Sequence, residues 1–316
     1  MQTVLVAGGA GFIGSHLCKS LLSENYKVIC VDNLITGDKG NILDLQENEN
    51  FSFLEKDITK PLDDIKADFI FHLASPASPN EKSPKSYRNL PLETLLANSL
   101  GTYNLLELAK KTGAKFLFAS TSEVYGDPKV SPQAEDYFGN VNPNGVRSVY
   151  DESKRFGEAI TMSYVRTSGL DARIIRIFNT YGPLMRKDDG RAVSEFIIQA
   201  LANQSLTVYG DGKQTRSFCY VDDMAIGIEK AMFSDNIKGE VINLGNPDEK
   251  TILDLAEIIK KISGSTSQLV FEPLPEDDPK IRKPDISKAK RLLDWEPKVG
   301  IEEGIEKTVQ YFKGLI

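Results

Sequence analysis

The amino-acid sequence predicts an α/β protein with a doubly wound parallel sheet and a smaller second lobe. The first half alternates continuous apolar runs with segments of helical spacing, as in TVLVAG followed by FIGSHLCKSLLSEN. A continuous apolar run is typical of a strand buried on both faces of a parallel sheet, and the intervening helices cover those faces. A glycine-rich turn joins the first predicted strand to the first predicted helix.

The predicted strands follow one another along the first half as TVLVAG, KVICVDN, FSFLEKDI, DFIFHLAS, KFLFASTS and DARIIRIFNTYGP. Helical spacing covers the segment after the glycine-rich turn, residues 92–111 and residues 150–167. A loop rich in Pro, Gly and Asn at residues 126–145 precedes the last of these helices. This order of strands and helices indicates βαβ units with parallel neighbours.

The last third is richer in turns, and two helical stretches close it at residues 287–293 and 301–312. We predict that residues 1–175 form the sheet domain and that residues 217–245 return to it. Residues 176–216 and 246–316 are predicted to form the smaller lobe, which is interleaved with the sheet domain because no clean linker separates them.

Composition excludes several functional classes. The 316 residues carry 38 Lys and Arg against 45 Asp and Glu, a formal net charge of -7, which argues against nucleic acid or an anionic membrane as the main partner. Three cysteines without a CxxC spacing indicate neither a disulfide framework nor a zinc site. With two histidines and no long apolar window, we expect a soluble, cytoplasmic enzyme without a metal centre.

The turn Gly8-Gly9-Ala10-Gly11-Phe12-Ile13-Gly14 points to a bound dinucleotide. Glycine permits the tight turn and the close approach of backbone N–H groups to a pyrophosphate. Asp32 ends the next strand, 18 residues beyond Gly14, where a carboxylate binds ribose hydroxyls and repels a 2′-phosphate. NAD is therefore favoured over NADP.

The spacing of Gly8, Gly11 and Gly14 resembles that of the extended short-chain dehydrogenase/reductase superfamily, whose fold is of the Rossmann type. This resemblance implies a larger set of cofactor contacts, in which Asp57 and Ile58 flank the adenine. The expected cofactor residues are Gly8, Gly11, Phe12, Ile13, Gly14, Asp32, Asn33, Asp57, Ile58, Leu73, Ala74, Tyr150 and Lys154.

Tyr150 and Lys154 are four residues apart on a predicted helix and therefore share one face. A nearby cation favours the phenolate, which can remove a hydroxyl proton while hydride leaves for a nicotinamide. Thr121, at the end of the strand KFLFASTS, is expected to hydrogen-bond the hydroxyl being oxidised. A non-catalytic NAD sensor on the same fold is the remote alternative, and such proteins typically lack the Tyr or the Lys.

Several strings resemble the UDP-glucuronate decarboxylase (UDP-xylose synthase) family, a branch of the NAD-dependent epimerases and dehydratases: STSEVYGDP, GNVNPNGVRSVYDESKR, RIFNTYGP, LTVYGDGKQTRSF and RKPDISKAK. The resemblance runs through nearly the whole chain. It implies oxidation of the sugar 4-hydroxyl, loss of carbon dioxide from the 4-keto intermediate, and return of the hydride to give UDP-xylose. A charged segment at residues 79–92 departs from the family pattern.

The resemblance also implies roles for individual side chains. Ser122 stands where sugar 4,6-dehydratases carry an acid, and Glu123 stands where simple 4-epimerases usually lack one. Arg282 is expected near the sugar carboxylate as a catalytic residue with Glu123, and the residues expected to bind the substrate are Asn179, Arg191, Tyr209, Arg216 and Arg282. A UDP-glucuronate 4-epimerase and a sugar-nucleotide 4,6-dehydratase remain as alternatives.

The two helices at residues 92–111 and 150–167 carry apolar residues on more than one side. One face must cover the sheet, so another can meet the same helices of a second copy. Enzymes that resemble this chain are usually dimers through such a seam, and we expect a homodimer that binds a UDP-sugar.

Overall fold

The computed structural model describes residues 1–274 and 281–315, in which strands and helices alternate through most of the chain. The strands are β1 (Thr3–Ala7), β2 (Lys27–Asp32), β3 (Phe51–Glu55), β4 (Phe69–His72), β5 (Lys115–Thr121), β6 (Ala172–Ile177), β7 (Thr180–Tyr181), β8 (Leu206–Tyr209), β9 (Thr215–Ser217), β10 (Cys219–Tyr220), β11 (Val241–Leu244), β12 (Glu249–Thr251), β13 (Leu269–Glu272) and β14 (Ile281–Arg282). The helices are α1 (Phe12–Ser23), α2 (Pro91–Leu96), α3 (Thr102–Thr112), α4 (Ser148–Ser168), α5 (Ala192–Leu201), α6 (Val221–Phe233), α7 (Ile252–Ser263), α8 (Ser287–Leu293) and α9 (Ile301–Lys313).

The central sheet of the described chain has seven strands in the order β11-β6-β5-β4-β1-β2-β3. All neighbouring strands in it are parallel. The strand order reverses between β1 and β4, and such a switch point opens a crevice at the carboxyl ends of the strands. This architecture confirms the predicted Rossmann-type, doubly wound fold.

Alternate residues of β1 enter two separate cores, which shows that both faces of the sheet are covered. Val4 and Val6 pack with Leu17 and Leu21 of α1 on one face. Leu5 and Ala7 pack with Leu105 of α3 on the other face. Burying a Leu side chain fully stabilises a protein by about 1.5–3 kcal/mol, so these two layers hold the sheet edge that carries the site.

A further apolar cluster lies beside the carboxyl ends of the strands. It joins α5, α7 and α9 to the strands β8 and β13, with Phe196, Leu255 and Phe312 buried at its centre. A three-stranded sheet, β12-β9-β14, lies in the same part of the chain. The smaller predicted lobe includes residues 275–280 and 316, which lie outside the described residues.

The predicted helix at residues 92–111 is helical throughout but is not one regular α-helix. A π-helical turn at Ala97–Gly101 joins α2 to α3. Asn98 in this turn is fully buried, and its side-chain amide donates hydrogen bonds to the hydroxyl groups of Ser75 and Ser153. The turn therefore ties α4 to the loop that follows β4. No helix within the described ranges is both long and apolar enough to cross a membrane.

Candidate active site

The glycine turn lies between β1 and α1 at the switch point of the sheet. Gly8 has a φ of +83°, and a Cβ atom on it would lie 2.6 Å from the backbone nitrogen of Ala74. A Cβ atom on Gly14 would lie 2.1 Å from the carbonyl oxygen of Gly8. Because both contacts are with backbone, only glycine lets the turn fold back on the start of α1 and present its N–H groups to a ligand.

Asp32 ends β2 beside this turn and is almost completely buried. Its carboxylate accepts hydrogen bonds from the backbone N–H groups of Ala10 at 3.1 Å and Leu34 at 2.9 Å. Burial raises the pKa of Asp32, and the two backbone donors oppose that shift. The carboxylate is therefore fixed at the edge of a hollow of about 140 Å³, whose lining includes Gly8, Gly11, Asp32, Asn33, Asp57, Ile58, Leu73 and Ala74.

A larger cleft of about 780 Å³ adjoins this hollow and shares Gly8, Gly11 and Leu73 with it. The larger cleft brings together the other predicted residues, which are far apart in sequence: Phe12, Ile13, Gly14, Thr121, Glu123, Tyr150, Lys154, Asn179, Arg191, Tyr209, Arg216 and Arg282. Every residue predicted for the site thus lies along one continuous groove. No cluster of three or more metal-binding side chains occurs in the described part of the chain.

Tyr150 and Lys154 face the cleft from the first turns of α4, and both are buried. The ammonium group of Lys154 donates a hydrogen bond of 2.8 Å to the carbonyl oxygen of Ala119 on β5. It lies 5.8 Å from the centre of the Tyr150 ring. Residue spacing on one helix therefore produces the side-by-side arrangement that the sequence predicted.

The sequence predicted that Lys154 is the cation that favours the phenolate of Tyr150, and the structure differs on this point. Burial raises the pKa of Tyr150 to about 12, while the charge of Arg191 and a hydrogen bond with the Thr121 side chain act in the opposite direction. Burial also lowers the pKa of Lys154 to about 7, against the charge of Glu158. Arg191 rather than Lys154 is thus the strongest favourable charge on the phenol in the absence of ligands.

A 3₁₀ turn at Ser122–Tyr125 follows β5 and places Glu123 at the centre of a charged cluster. A guanidinium nitrogen of Arg147 lies 2.5 Å from Glu123 Oε2, and Nη2 of Arg282 lies 3.4 Å from the same oxygen. Arg282 also donates hydrogen bonds to the carbonyl oxygens of Ser122 and Gly126. A buried cation is thus held at the carboxyl end of β5 by an ion pair and by backbone acceptors.

The cluster keeps one carboxyl ionised and a neighbouring one protonated. Burial opposes ionisation of Glu123, but the charges of Arg147 and Arg282 outweigh it and lower its pKa to about 2. Burial and the charge of Glu123 raise the pKa of Asp151 to about 8. At neutral pH, Glu123 is therefore a carboxylate and Asp151 is a carboxylic acid.

The predicted substrate residues come from the smaller sheet and its surroundings. Arg216 on β9 is directly opposite Arg282 on β14, because these strands pair in parallel register. Arg191 precedes α5 and forms an ion pair of 3.0 Å with Asp189. Tyr209 ends β8, and Asn179 lies just before β7. Four of these side chains can form hydrogen bonds or ion pairs with a phosphorylated ligand, and the fifth, Tyr209, offers an aromatic face as well as a hydroxyl.

Residues 4–245 match the model of the NAD dependent epimerase/dehydratase family. The chain belongs to this family. It is 51% identical over 311 residues to UDP-glucuronic acid decarboxylase 1 of Danio rerio, an alignment that covers 98% of this chain and 72% of that protein. The family assignment confirms the resemblance that the sequence motifs indicated.

Solved structures of family members share the whole architecture. The UDP-glucuronic acid 4-epimerase of Bacillus cereus, in complex with UDP-glucuronic acid and NAD, is 35% identical with a TM-score of 0.88, covering 99% of this chain and 100% of that chain. The UDP-glucose 4-epimerase of Thermotoga maritima, with UDP-glucose, is 33% identical with a TM-score of 0.89 and covers 99% of both chains.

The cleft fits NAD, the cofactor of this family. Helix α1 begins at the glycine turn, and among the described residues no side chain caps its N-terminal amides. Those amides are free to bind a pyrophosphate, and the absence of an acid in the first turn avoids repulsion. Asp32 lies where the ribose of a dinucleotide is bound in Rossmann-type folds. NAD would accept a hydride from a sugar carbon and later return it.

Three residues that line or border this family site were not predicted from the sequence. Arg147 is the cation closest to Glu123, and it is the N-cap residue of α4, three residues before Tyr150. Asp151 is buried next to Tyr150, and Tyr87 stacks on the Tyr150 ring. The position of Arg147 one turn before Tyr150 is a signal that could have identified it. Tyr87 comes from a distant loop and has no such signal.

Proposed function

We propose that this protein decarboxylates UDP-glucuronate to UDP-xylose through a 4-keto intermediate, with NAD as its cofactor. The 51% identity to a UDP-glucuronic acid decarboxylase supports the proposal at the level of the whole chain. The arrangement around Glu123 supports it at the level of the site.

The observation that carries the proposal is the pairing of the ionised Glu123 with Arg147 and Arg282 beside Tyr150. A substrate carboxylate needs cations in the cleft, and these two arginines provide them near Tyr150, the proposed base. A dehydratase needs a carboxylic acid that protonates a departing hydroxyl group. Ser122 occupies that place here, and Glu123 carries no proton at neutral pH because its pKa is about 2.

The first step is removal of a proton from the 4-hydroxyl group by Tyr150. Thr121 is proposed to orient the hydroxyl group, a role supported by the hydrogen bond between its side chain and the phenol. Arg191 favours the phenolate electrostatically, and we propose that Lys154, held by the carbonyl of Ala119 and 5.8 Å from the centre of the phenol ring, adds to this effect. Thr121, Tyr150 and Lys154 come from β5 and α4, so the fold holds them in fixed relation.

The second step breaks the bond between carbon 5 and the carboxylate carbon. The ketone at carbon 4 accepts the electron pair as an enolate, carbon dioxide leaves, and carbon 5 then takes up one proton. Arg282 is proposed to orient the carboxylate until it leaves and to stabilise the enolate charge. We propose that Glu123 orients the two guanidinium groups, since it is bound to both.

The nucleotide of the substrate is proposed to lie against Asn179, Arg191, Tyr209 and Arg216. Planar guanidinium groups suit a diphosphate, and Tyr209 is expected near the uracil. We further propose that residues 1–175 and 217–245 bind NAD, and that residues 176–216 and 246–316 bind the UDP-sugar.

A UDP-glucuronate 4-epimerase is the second candidate. The B. cereus epimerase, solved in complex with UDP-glucuronic acid and NAD, shares 35% identity and a TM-score of 0.88 with this chain. Both reactions begin with oxidation at carbon 4, so the same Tyr150 and Lys154 serve either. The outcome depends on whether the 4-keto sugar loses its carboxylate before the hydride returns.

We propose that the protein is a homodimer. Apolar side chains on α2, the π turn, α3 and α4 remain exposed in the single chain, namely Leu92, Leu95, Leu96, Leu100, Tyr103 and Phe156. Exposed apolar side chains on neighbouring helices are typical of a four-helix interface between two copies. The three cysteines are free and buried, which suits a reducing compartment such as the cytoplasm.

The proposed activity is tested by incubating the purified protein with UDP-glucuronate and following the sugar protons by NMR together with released carbon dioxide. UDP-xylose with equimolar carbon dioxide is the expected result. UDP-galacturonate without carbon dioxide would instead establish the epimerase. The absence of both products would refute the assignment of UDP-glucuronate as substrate.

A further inference from the structure

The ring of Tyr87 lies face to face with the ring of Tyr150. Their centroids are 5.1 Å apart and their planes differ by 9°. Tyr87 is 2% exposed and Tyr150 is 7% exposed, so the contact excludes water. Tyr87 belongs to the segment between β4 and α2, which is a different part of the chain from α4. Tertiary structure alone therefore creates this stack.

The segment that carries Tyr87 is fixed to the residues before α5. The hydroxyl of Ser78 donates to the carbonyl oxygen of Asp189 at 2.6 Å, and the hydroxyl of Ser83 donates to Asp188 Oδ2 at 2.7 Å. Arg191 in turn donates to the carbonyl oxygen of Ala77 at 2.8 Å. Tyr87 and Arg191, which both act on Tyr150, are thus held together by one set of hydrogen bonds.

The contact is made by the ring of Tyr87 rather than by its hydroxyl group. The hydroxyl oxygen is buried and has no hydrogen-bond partner among the described residues. Burial raises the pKa of Tyr87 above its ordinary range, so the phenol is neutral at physiological pH. An aromatic face with no charge is well suited to exclude water from the phenol next to it.

We propose that Tyr87 is a positioning residue for Tyr150, whose ring fixes the plane of the catalytic phenol and excludes water from it. The proposal rests on the proposed function, in which Tyr150 removes the proton. The phenol of Tyr150 tolerates little movement, because its hydroxyl group must keep its hydrogen bond with the Thr121 side chain in order to reach the substrate. A stacked aromatic ring resists rotation of its neighbour out of the parallel arrangement. An aliphatic side chain does not provide this restraint.

Several charged and polar groups face Tyr150 from the packed elements, and any change of pH dependence must be interpreted with all of them. They are Thr121 on β5, Glu123 in the turn that follows, Arg191 before α5, and Asp151 and Lys154 on α4 itself. None of them is altered by a substitution at Tyr87. Because burial is the largest cause of the raised pKa of Tyr150, opening the stack to water should lower that pKa.

The test compares Tyr87→Leu with the conservative variant Tyr87→Phe. Loss of the ring should reduce kcat about 10- to 100-fold with KM changed less than about threefold, because a misplaced base slows chemistry more than binding. Tyr87→Phe, which keeps the aromatic ring, should retain most of the wild-type kcat. Tyr87→Met, a second aliphatic variant, guards against a folding defect that is peculiar to Leu.

A second readout needs no substrate. Protein labelled with ¹³C at the tyrosine ζ carbon, with the Tyr150 signal assigned through Tyr150→Phe, reports the titration of that phenol in the NAD complex. The Leu and Met variants should titrate at lower pH than the wild type, and the Phe variant should match it.

Equal titrations and equal kcat in Leu, Met and Phe variants would overturn the proposal. An equal loss of kcat in the Phe and Leu variants would also overturn it, because the hydroxyl would then be the active group. A wild type that makes no UDP-xylose would refute the proposed function and leave the titration to decide the role of Tyr87.

Discussion

Arg282 on β14 lies 3.4 Å from Glu123, which follows β5, although 159 residues separate them in the sequence. Arg282 is 1% exposed and also donates to the carbonyl oxygens of Ser122 and Gly126. This contact joins the smaller sheet to the carboxyl end of the central sheet. It fixes a positive charge beside Glu123 in the cleft, where we propose that the substrate carboxylate binds.

Replacing Arg282 by Lys is expected to separate oxidation from decarboxylation. A lysine keeps the charge but loses the planar fork that binds Glu123 and the backbone together. We expect carbon dioxide release to fall at least about 100-fold, the cost typical of losing one electrostatic donor in an active site. NADH formed in a single turnover, followed by its absorbance, should decline far less. A parallel loss of both signals would contradict a role for Arg282 in the second step.

Asp32→Asn is expected to weaken NAD binding about tenfold or more. The carboxylate accepts N–H groups from Ala10 and Leu34, and an amide nitrogen would face one of these donors. The preference for NAD over NADP should also decrease, because the charge that repels a 2′-phosphate is removed. Calorimetric titration with both dinucleotides measures this. Asp38→Asn is the matched control, because Asp38 is exposed and its carboxylate accepts a hydrogen bond from the backbone N–H of Gly40.

Gly14→Ala is expected to abolish NAD binding, since its Cβ atom would lie 2.1 Å from the carbonyl oxygen of Gly8. Gly300→Ala is the control, because a Cβ atom there meets nothing within 4 Å of the described structure. The control should bind NAD like the wild type and unfold at a similar temperature. Undiminished NAD binding by Gly14→Ala would show that the turn does not hold the cofactor.

Asp151→Asn is expected to make the stability of the protein less sensitive to pH between about pH 4 and pH 8. Burial and the charge of Glu123 raise the folded-state pKa of Asp151 to about 8, whereas an unfolded Asp titrates near about 3.9. Between about pH 4 and pH 8 the folded state binds the extra proton, so this group makes stability fall as pH rises through that window.

The Tm of the wild type should therefore decrease more than the Tm of Asp151→Asn between pH 5 and pH 8.5. A change of about 1 kcal/mol corresponds to roughly 2–4 °C in a domain of comparable size. Differential scanning calorimetry at a series of pH values measures the difference. Asp63→Asn, a surface residue 3.4 Å from Lys111, should follow the wild-type curve. Coincident curves for Asp151→Asn and the wild type would contradict the raised pKa.

The parts of the site that depend on local spacing could be predicted from the sequence. The glycine turn follows from three glycines between a strand and a helix, and the pairing of Tyr150 with Lys154 follows from the period of α4. Asp32 follows from the end of β2. Each inference needed only the geometry of one or two neighbouring elements.

Contacts between distant segments could not be predicted in this way. The stack of Tyr87 on Tyr150 depends on how residues 75–90 fold over the cleft, which no periodic pattern determines. The π turn at Ala97–Gly101 likewise could not be predicted from the helical spacing of apolar residues, because the flanking turns keep the same spacing. The role of burial in raising the pKa of Tyr150 appears only once the surrounding loops are in place.

The proposed reaction oxidises carbon 4 of UDP-glucuronate, releases carbon dioxide and returns the same hydride to carbon 4. The most direct test is to run the reaction in D₂O with trace protein and no added reductant, and to examine the product by NMR and mass spectrometry. The proposed reaction predicts UDP-xylose with one deuterium at carbon 5, ordinary hydrogen at carbon 4, and one carbon dioxide per sugar. UDP-galacturonate with its carboxylate retained, or deuterium at carbon 4, would contradict it.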